Sequence, residues 1–181
     1  KFINFLKYDT NLETVIDWHN PLIGHMQHNA RDPLRDHVHG RIYRITYPSR
    51  PLITPAQVAG ASIKDLLDNL KLPEYRTRYR SRRELRGRPS NEVLDHLKLW
   101  ISELDQNDTN YEHYLLEALW ITWGLNKIDE QLLHQLLKAE DSRARAAAVR
   151  VLRYGGHQIA DQPDLLMQAA KDDNARVRLE A

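Results

Sequence analysis

Histidine and aspartate crowd one short stretch of this sequence. Five of its nine histidines, His19, His25, His28, His37 and His39, fall within 21 residues, with Asp17, Asp32 and Asp36 interleaved. Imidazole and carboxylate together suit zinc, iron or another first-row metal, and a loop can converge ligands that helix spacing would separate. The same groups could act as general bases near neutral pH. No spacing among them is a recognised ligand motif, and Asp, Asn and His also satisfy backbone groups in polar loops. The five histidines are thus candidate metal ligands, weighed against a role in structural hydrogen bonding.

A second cluster is cationic. Arg76, Arg78, Arg80, Arg82, Arg83, Arg86 and Arg88 interleave with Tyr75 and Tyr79. Such a helix could bind phosphates, with the tyrosines stacking on bases. Seven arginines would nevertheless spread around a helix rather than form one stripe, and Glu74, Glu84, Glu92 and Asp95 are near enough to pair with some of them. The expectation is arginine held by carboxylates and carbonyls, with nucleic acid disfavoured as a partner. No Gly-rich phosphate loop, Gly-x-Ser-x-Gly elbow or His-Glu-x-x-His is present.

Composition bounds the rest. With 181 residues, 41% apolar and 28% charged, the chain can bury a real core in one domain or two small ones. A formal net charge of +1 gives no global attraction to nucleic acid or anionic membrane. The absence of cysteine excludes disulfides, thiolate metal sites and a Cys-x-x-Cys-His haem attachment within these residues. No apolar run approaches the roughly 18 residues of a membrane span. The chain opens on Lys1 and stops at Ala181 inside a periodic pattern, so it reads as a piece of a longer protein.

The elements that would position these clusters follow from periodicity. Residues 12–18 and 41–47 read as strands, the second with Tyr43, Ile45 and Tyr47 on one face and Pro48 as its stop. The histidine-rich stretch lies between them, longer than an ordinary loop. Pro48, Pro51 and Pro55 mark a semi-rigid linker, and Ser62 with Asp65 resembles a capping box ahead of a first short helix. From Pro73 the pattern is helix after helix, over 74–86, 91–104, 111–123, 128–137, 143–154, 161–170 and from near 175. Gly87, Gly124 and Gly155 are read as terminators. Ala144, Ala147 and Ala148 would let helices approach closely, and Trp100, Trp120 and Trp123 are read as fillers of wider core layers.

The C-terminal half also repeats with a period of 33. Asp141, Ala144, Arg145 and Ala148 correspond to Asn174, Val177, Arg178 and Ala181; stepping back, Asp108, Tyr111, Leu115 and Leu119 match, although Glu112 replaces the arginine. A period of this size, split into two helical halves, is the mark of a stacked helical-hairpin solenoid. Residues 111–139 and 144–170 should then be consecutive helix pairs, with Leu119 and Leu152 buried at equivalent places. The fold class expected is mainly α: a HEAT-like helical-hairpin solenoid over 73–181, preceded by a short β segment over 1–47 and a Pro-rich linker with the first helix over 48–72.

The repeats resemble HEAT repeats, in Asp141…Ala144-Arg145…Ala148…Leu152 and Asp173…Val177-Arg178…Ala181. In that family the turn aspartate and the arginine commonly interact between neighbours, which implies structural roles for Asp141, Arg145, Asp173 and Arg178. A longer resemblance runs from Asp17-Trp18-His19-Asn20-Pro21-Leu22-Ile23-Gly24-His25-Met26-Gln27-His28 through Arg31-Asp32-Pro33 and His39-Gly40-Arg41-Ile42-Tyr43-Arg44-Ile45. It continues in Tyr75-Arg76-Thr77-Arg78-Tyr79-Arg80 and Tyr111-Glu112-His113-Tyr114-Leu115-Leu116-Glu117-Ala118-Leu119-Trp120. These stretches resemble the large membrane-bound dehydrogenases of planctomycetes and their relatives, over about residues 15–181. That family joins a β-propeller similar to glucose and sorbosone dehydrogenases to HEAT repeats, and many members add a c-type cytochrome domain.

The resemblance implies that residues 1–47 are the tail of the propeller and that the protein is exported to the periplasm. It implies pyrroloquinoline quinone and haem c in the parent protein, with no cofactor held by this piece, and carries over no catalytic residue. The function expected is that of a piece of an exported sugar- or alcohol-dehydrogenase-like protein. Its solenoid would be a spacer or docking scaffold for a protein, either the parent's own propeller or cytochrome domain or another chain, without catalysis of its own. The alternatives are a purely non-enzymatic interaction scaffold and, third, a nucleic-acid-binding helical repeat.

Overall fold

The computed structural model describes residues 4–7, 12–17, 31–46 and 54–181. The chain divides into two compact units, Lys1–Pro55 and Ala56–Ala181. The stretch 48–72, read as linker plus first helix, is thus shared between them, and its helix belongs to the second unit.

The first unit carries a three-stranded antiparallel sheet in the order β1-β2-β3, with β1 at Asn4–Lys7, β2 at Leu12–Asp17 and β3 at Arg41–Thr46. The register sets Phe5 opposite Val15 and Val15 opposite Tyr43. The two strands expected from the sequence are β2 and β3. β1 was not expected: four residues are too few for a period-2 pattern to register. Tyr47 and the prolines at 48 and 51 lie outside the described residues.

The second unit is helical, and the described chain as a whole is mainly α. Its α-helices are α1 (Ile63–Asp68), α2 (Tyr75–Arg86), α3 (Ser90–Ser102), α4 (Tyr111–Gly124), α5 (Glu130–Leu136), α6 (Ser142–Gly155), α7 (Gln162–Ala169) and α8 (Ala175–Glu180). Short polar side chains start several of them. Ser62 Oγ accepts from the Asp65 amide at 3.1 Å, the first half of the expected capping box, and donates to the Asp65 carboxylate at 2.6 Å, so that the carboxylate meets the hydroxyl. Asp129, Asp141 and Asn174 likewise take backbone N–H groups of the first turns of α5, α6 and α8.

Two glycines end their helices as expected and do a further job. Gly124 and Gly155 are the last residues of α4 and α6, inside the helices rather than beyond them. The turn after α4 is made by Asn126 at φ 56°, where Lys127 N donates to Thr122 O and Asn126 N to Trp123 O, both at 2.9 Å. That pair of bonds is a Schellman arrangement with asparagine in the left-handed position. Gly155 is instead a site of close approach, since a Cβ there would overlap the end of Ile128.

α2 packs on α4, α4 on α6, and α6 on α8, while α3 returns to α4, α5 to α4 and α6, and α7 to α6. α1 caps the α2–α3 pair. One apolar cluster runs from Leu66 and Leu67 through Leu85, Leu97 and Leu115 to Leu152, and a smaller one joins Ala146, Val149, Ala169 and Val177. Leu119 and Leu152, one period apart, are both fully buried. Trp100 is a core residue, its indole N–H donating to Asp68 at 3.2 Å.

Leu152→Ala should cost about 2–5 kcal/mol, because truncating a fully enclosed leucine loses transfer energy and leaves a cavity. Leu99→Ala, at an exposed position, should stay within about 0.5 kcal/mol of the parent. Urea unfolding followed by circular dichroism separates the two; equal midpoints would contradict the packing described.

Candidate functional site

The histidine cluster is only partly within reach of description. His19, His25 and His28 lie outside the described residues. His37 and His39 are exposed. Asp36 accepts from the amides of Val38 and His39 at 3.0 Å each, and its carboxylate meets His39 Nδ1 at 3.0 Å. Those amide bonds hold the Asp36 carboxyl down to about 2, with the imidazole adding to the effect. Aspartate here closes a turn on its own backbone. Among the described residues no three His, Asp or Glu side chains come together to hold a metal.

The arginines are sorted by what they reach. Arg78 Nη1 donates to the carbonyls of Leu72 and Pro73 at 2.7 and 2.6 Å, while its Nε donates to Glu117 at 3.0 Å. Arg82 pairs with the other oxygen of Glu117. Glu117 is fully buried on α4, so two guanidinium groups from α2 supply the countercharge that burial demands. His113 Nε2 stands 3.6 Å from the same carboxylate. Burial pushes the His113 pKa down; Glu117 opposes this, and Arg78 and Arg82 add to it. Arg88 donates to Glu84 at 2.8 Å and to the Ala61 carbonyl at 3.2 Å.

The residues expected to be structural divide similarly. Arg145 Nη1 donates to the carbonyls of Ala139 and Glu140, and its other nitrogens reach Asp172 at 2.9 and 3.0 Å and Asp173 at 2.7 Å. Arg178 Nη1 donates to the carbonyls of Asp172 and Asp173. Asp141 pairs with Arg143 beside it, and α4 carries no arginine that could reach it. Asp172, which the sequence reading passed over, is the principal partner of Arg145. That bond, reinforced by the Asn174 amide, holds its carboxyl well below the usual range.

An open groove of about 850 Å³ crosses the faces of α2, α4, α6 and α8. α2 contributes Tyr75, Tyr79, Arg82 and Arg86, one stripe of the helix. α4 contributes Trp120, Trp123 and Gly124; α6 contributes Arg143, Ala146, Ala147 and Arg150; α8 contributes Arg176 and Glu180. Small residues leave the depth. A Cβ on Gly124 would stand 3.0 Å from Arg86 Cδ, so this glycine gives the arginine stem its seat. Trp120 and Trp123 are half-buried: they pack against the main apolar cluster, as expected, and also line this groove.

The groove is cationic and aromatic together. The Arg82 guanidinium lies 5.0 Å from the Trp120 ring and 5.9 Å from Tyr75, and Arg83 lies 6.0 Å from Tyr79. Tyr75 and Tyr79 stack at 6.3 Å. Arg150 forms a two-point pair with Glu180 at 2.8 and 2.9 Å, and Arg176 joins it at 3.3 Å. Arg150 holds the Glu180 carboxyl below its ordinary value. The stripe at 75, 79, 82 and 86 was legible as a helix face; its alignment with three other helices was not.

Asp172 ties folding to pH. Its folded pKa lies below the unfolded one, so its stabilisation is complete above about pH 4 and is lost as pH falls through the folded value. Asp172→Asn should therefore cost about 1–3 kcal/mol at pH 7, with the gap to the parent closing towards pH 2. Urea midpoints at pH 7, 4 and 2 test this, and a gap independent of pH would count against it. No protein-family model, curated protein or solved structure matches this chain.

Proposed function

We propose that residues 56–181 are a HEAT-like helical-hairpin solenoid that docks another protein within an exported sugar- or alcohol-dehydrogenase-like protein, and that residues 1–47 close its propeller. The observation carrying the scaffold reading is a recurring anchor. Arg78, Arg145 and Arg178 each donate to the carbonyls five and six residues before them, at the start of α2, α6 and α8. A repeated contact of this kind belongs to a chain that stacks one unit on the next. The side-by-side packing of α2, α4, α6 and α8 supports the same reading. For the parent protein, support comes from the resemblance over residues 15–181 and from the antiparallel meander that precedes the helices.

Cofactors are placed outside these residues on this reading. Covalent haem c needs a Cys-x-x-Cys-His sequence, and the chain has no cysteine, so its residues do not fit that group. Three strands do not enclose a quinone, so pyrroloquinoline quinone belongs to blades elsewhere in the parent. No helix among the described residues is long and apolar enough to cross a membrane.

The test uses the whole parent protein supplied with pyrroloquinoline quinone and a panel of aldoses and alcohols. Deleting residues 56–181 should leave oxidation linked to a small soluble dye within about twofold, because chemistry stays in the propeller. Transfer to a protein acceptor should fall at least about tenfold, because docking supplies effective concentration. Full-length protein that oxidises none of the panel would remove the dehydrogenase reading and leave a non-enzymatic scaffold. Equal loss with dye and protein acceptor would remove the docking reading.

A further inference from the structure

The groove across α2, α4, α6 and α8 has a chemistry more specific than docking in general. Five guanidinium groups line it; Arg82 is paired with Glu117, Arg143 with Asp141, and Arg150 and Arg176 share Glu180. Among the described residues Arg86 pairs with no carboxylate, its stem laid over Gly124 with the cation at the groove's edge. The floor between the cations is apolar, from the half-buried Trp120 and Trp123 to Ala146 and Ala147. Such a surface asks for a ligand that alternates negative and apolar groups.

We infer that this groove binds an extended acidic peptide segment, its carboxylates on Arg86, Arg150 and Arg176 and its apolar side chains on Trp123 and the Ala146–Ala147 floor. The inference rests on the docking reading above and names its surface and its partner's chemistry. Four helices set about 10 Å apart span roughly 30 Å, which is about nine residues of extended chain. Side chains two apart on such a peptide face the same way, so a strict alternation of acidic and apolar residues would present one kind to the floor and the other to the arginine rims. Planar guanidinium forks match carboxylates at two points, as the Arg150–Glu180 pair already shows within the protein.

Nucleic acid fits less well. A stacking platform needs free ring faces, whereas Arg82 and Arg83 already sit over Trp120, Tyr75 and Tyr79. A chain with a formal charge of +1 lacks the large cationic excess that a run of phosphates exploits. A peptide carrying fewer, spaced charges needs neither that excess nor a row of free ring faces.

Fluorescence anisotropy on the 181-residue chain tests the inference with three labelled probes. These are a decapeptide alternating Glu with Leu, the same peptide with Lys for Glu, and a single-stranded decanucleotide. The acidic peptide should bind in roughly the micromolar range and the lysine peptide at least about tenfold more weakly. Arg86→Glu with Arg176→Glu should weaken the acidic peptide at least about tenfold, and Tyr79→Ala by about threefold. Lys98→Glu, on the exposed surface of α3, should leave it unchanged. Circular dichroism checks that each variant keeps its helices. Absence of acidic-peptide binding, or binding indifferent to the groove variants, would overturn the inference. So would tighter binding of the decanucleotide through the same arginines. Those results leave the dye-versus-acceptor comparison untouched, so failure here is distinguishable from failure of the docking reading.

Discussion

The structure turns on one hydrogen-bonding arrangement, an arginine early in a helix that reaches back to the turn before it. A chain leaving one helix and entering the next exposes carbonyls that no helical N–H can reach. Arg78, Arg145 and Arg178 each place Nη1 between two such carbonyls, at distances of 2.6–2.9 Å. In Arg78 and Arg145 the rest of the guanidinium goes to a carboxylate one unit further on, Glu117 or the Asp172–Asp173 pair. One side chain therefore fixes both the turn inside its own unit and the spacing to the next. Lysine has neither the planar fork nor enough donors in fixed directions to serve both.

Position 112 shows that the requirement is satisfaction of the turn rather than arginine as such. There the periodic arginine is replaced by glutamate, and the polarity reverses. Glu112 accepts from the amides of Glu140 and Asp141 at 2.7 and 2.8 Å, tying α4 to the turn ahead instead of the turn behind. In the turn behind α4, Asp105 and Asp108 accept from the amides of Asn107 and Asn110. These Asx turns close that turn through its N–H groups, whereas the arginines of α2, α6 and α8 act on carbonyls.

The sequence made the order of helices legible through their apolar stripes and, for several, a polar start, as Ser62, Asp141 and Asn174 illustrate. Gly124 and Gly155 do end α4 and α6, but one also seats the Arg86 stem and the other admits Ile128, contacts that arise only when another segment of the chain arrives. Trp120 and Trp123 pack on the core as their apolar pattern suggested, but that pattern gave no sign that their outer faces would line a groove. Glu117 was the clearest missed signal. A carboxylate in the apolar run Leu115-Leu116-Glu117-Ala118-Leu119 announces a buried ion pair, but its partners lie 35 and 39 residues upstream.

That buried carboxylate also explains why the groove has its present character. Taking Glu117 out of water costs several kcal/mol unless cations accompany it, and only arginines on the facing side of α2 are near enough. Arg82, drawn in to meet it, is held 12% exposed and lies against Trp120, so the cation that neutralises the core also forms part of the groove wall. Arg150 and Arg176 pair with Glu180, itself largely buried, but both stay more than half exposed. Arg82, Arg150 and Arg176 of the groove lining are therefore each anchored on a buried carboxylate. Anchored side chains lose little further entropy when a ligand arrives, which is the advantage a preformed recognition surface has over a flexible one. The helical stack and its most distinctive surface thus come from a single solution: cations placed where buried carboxylates require them.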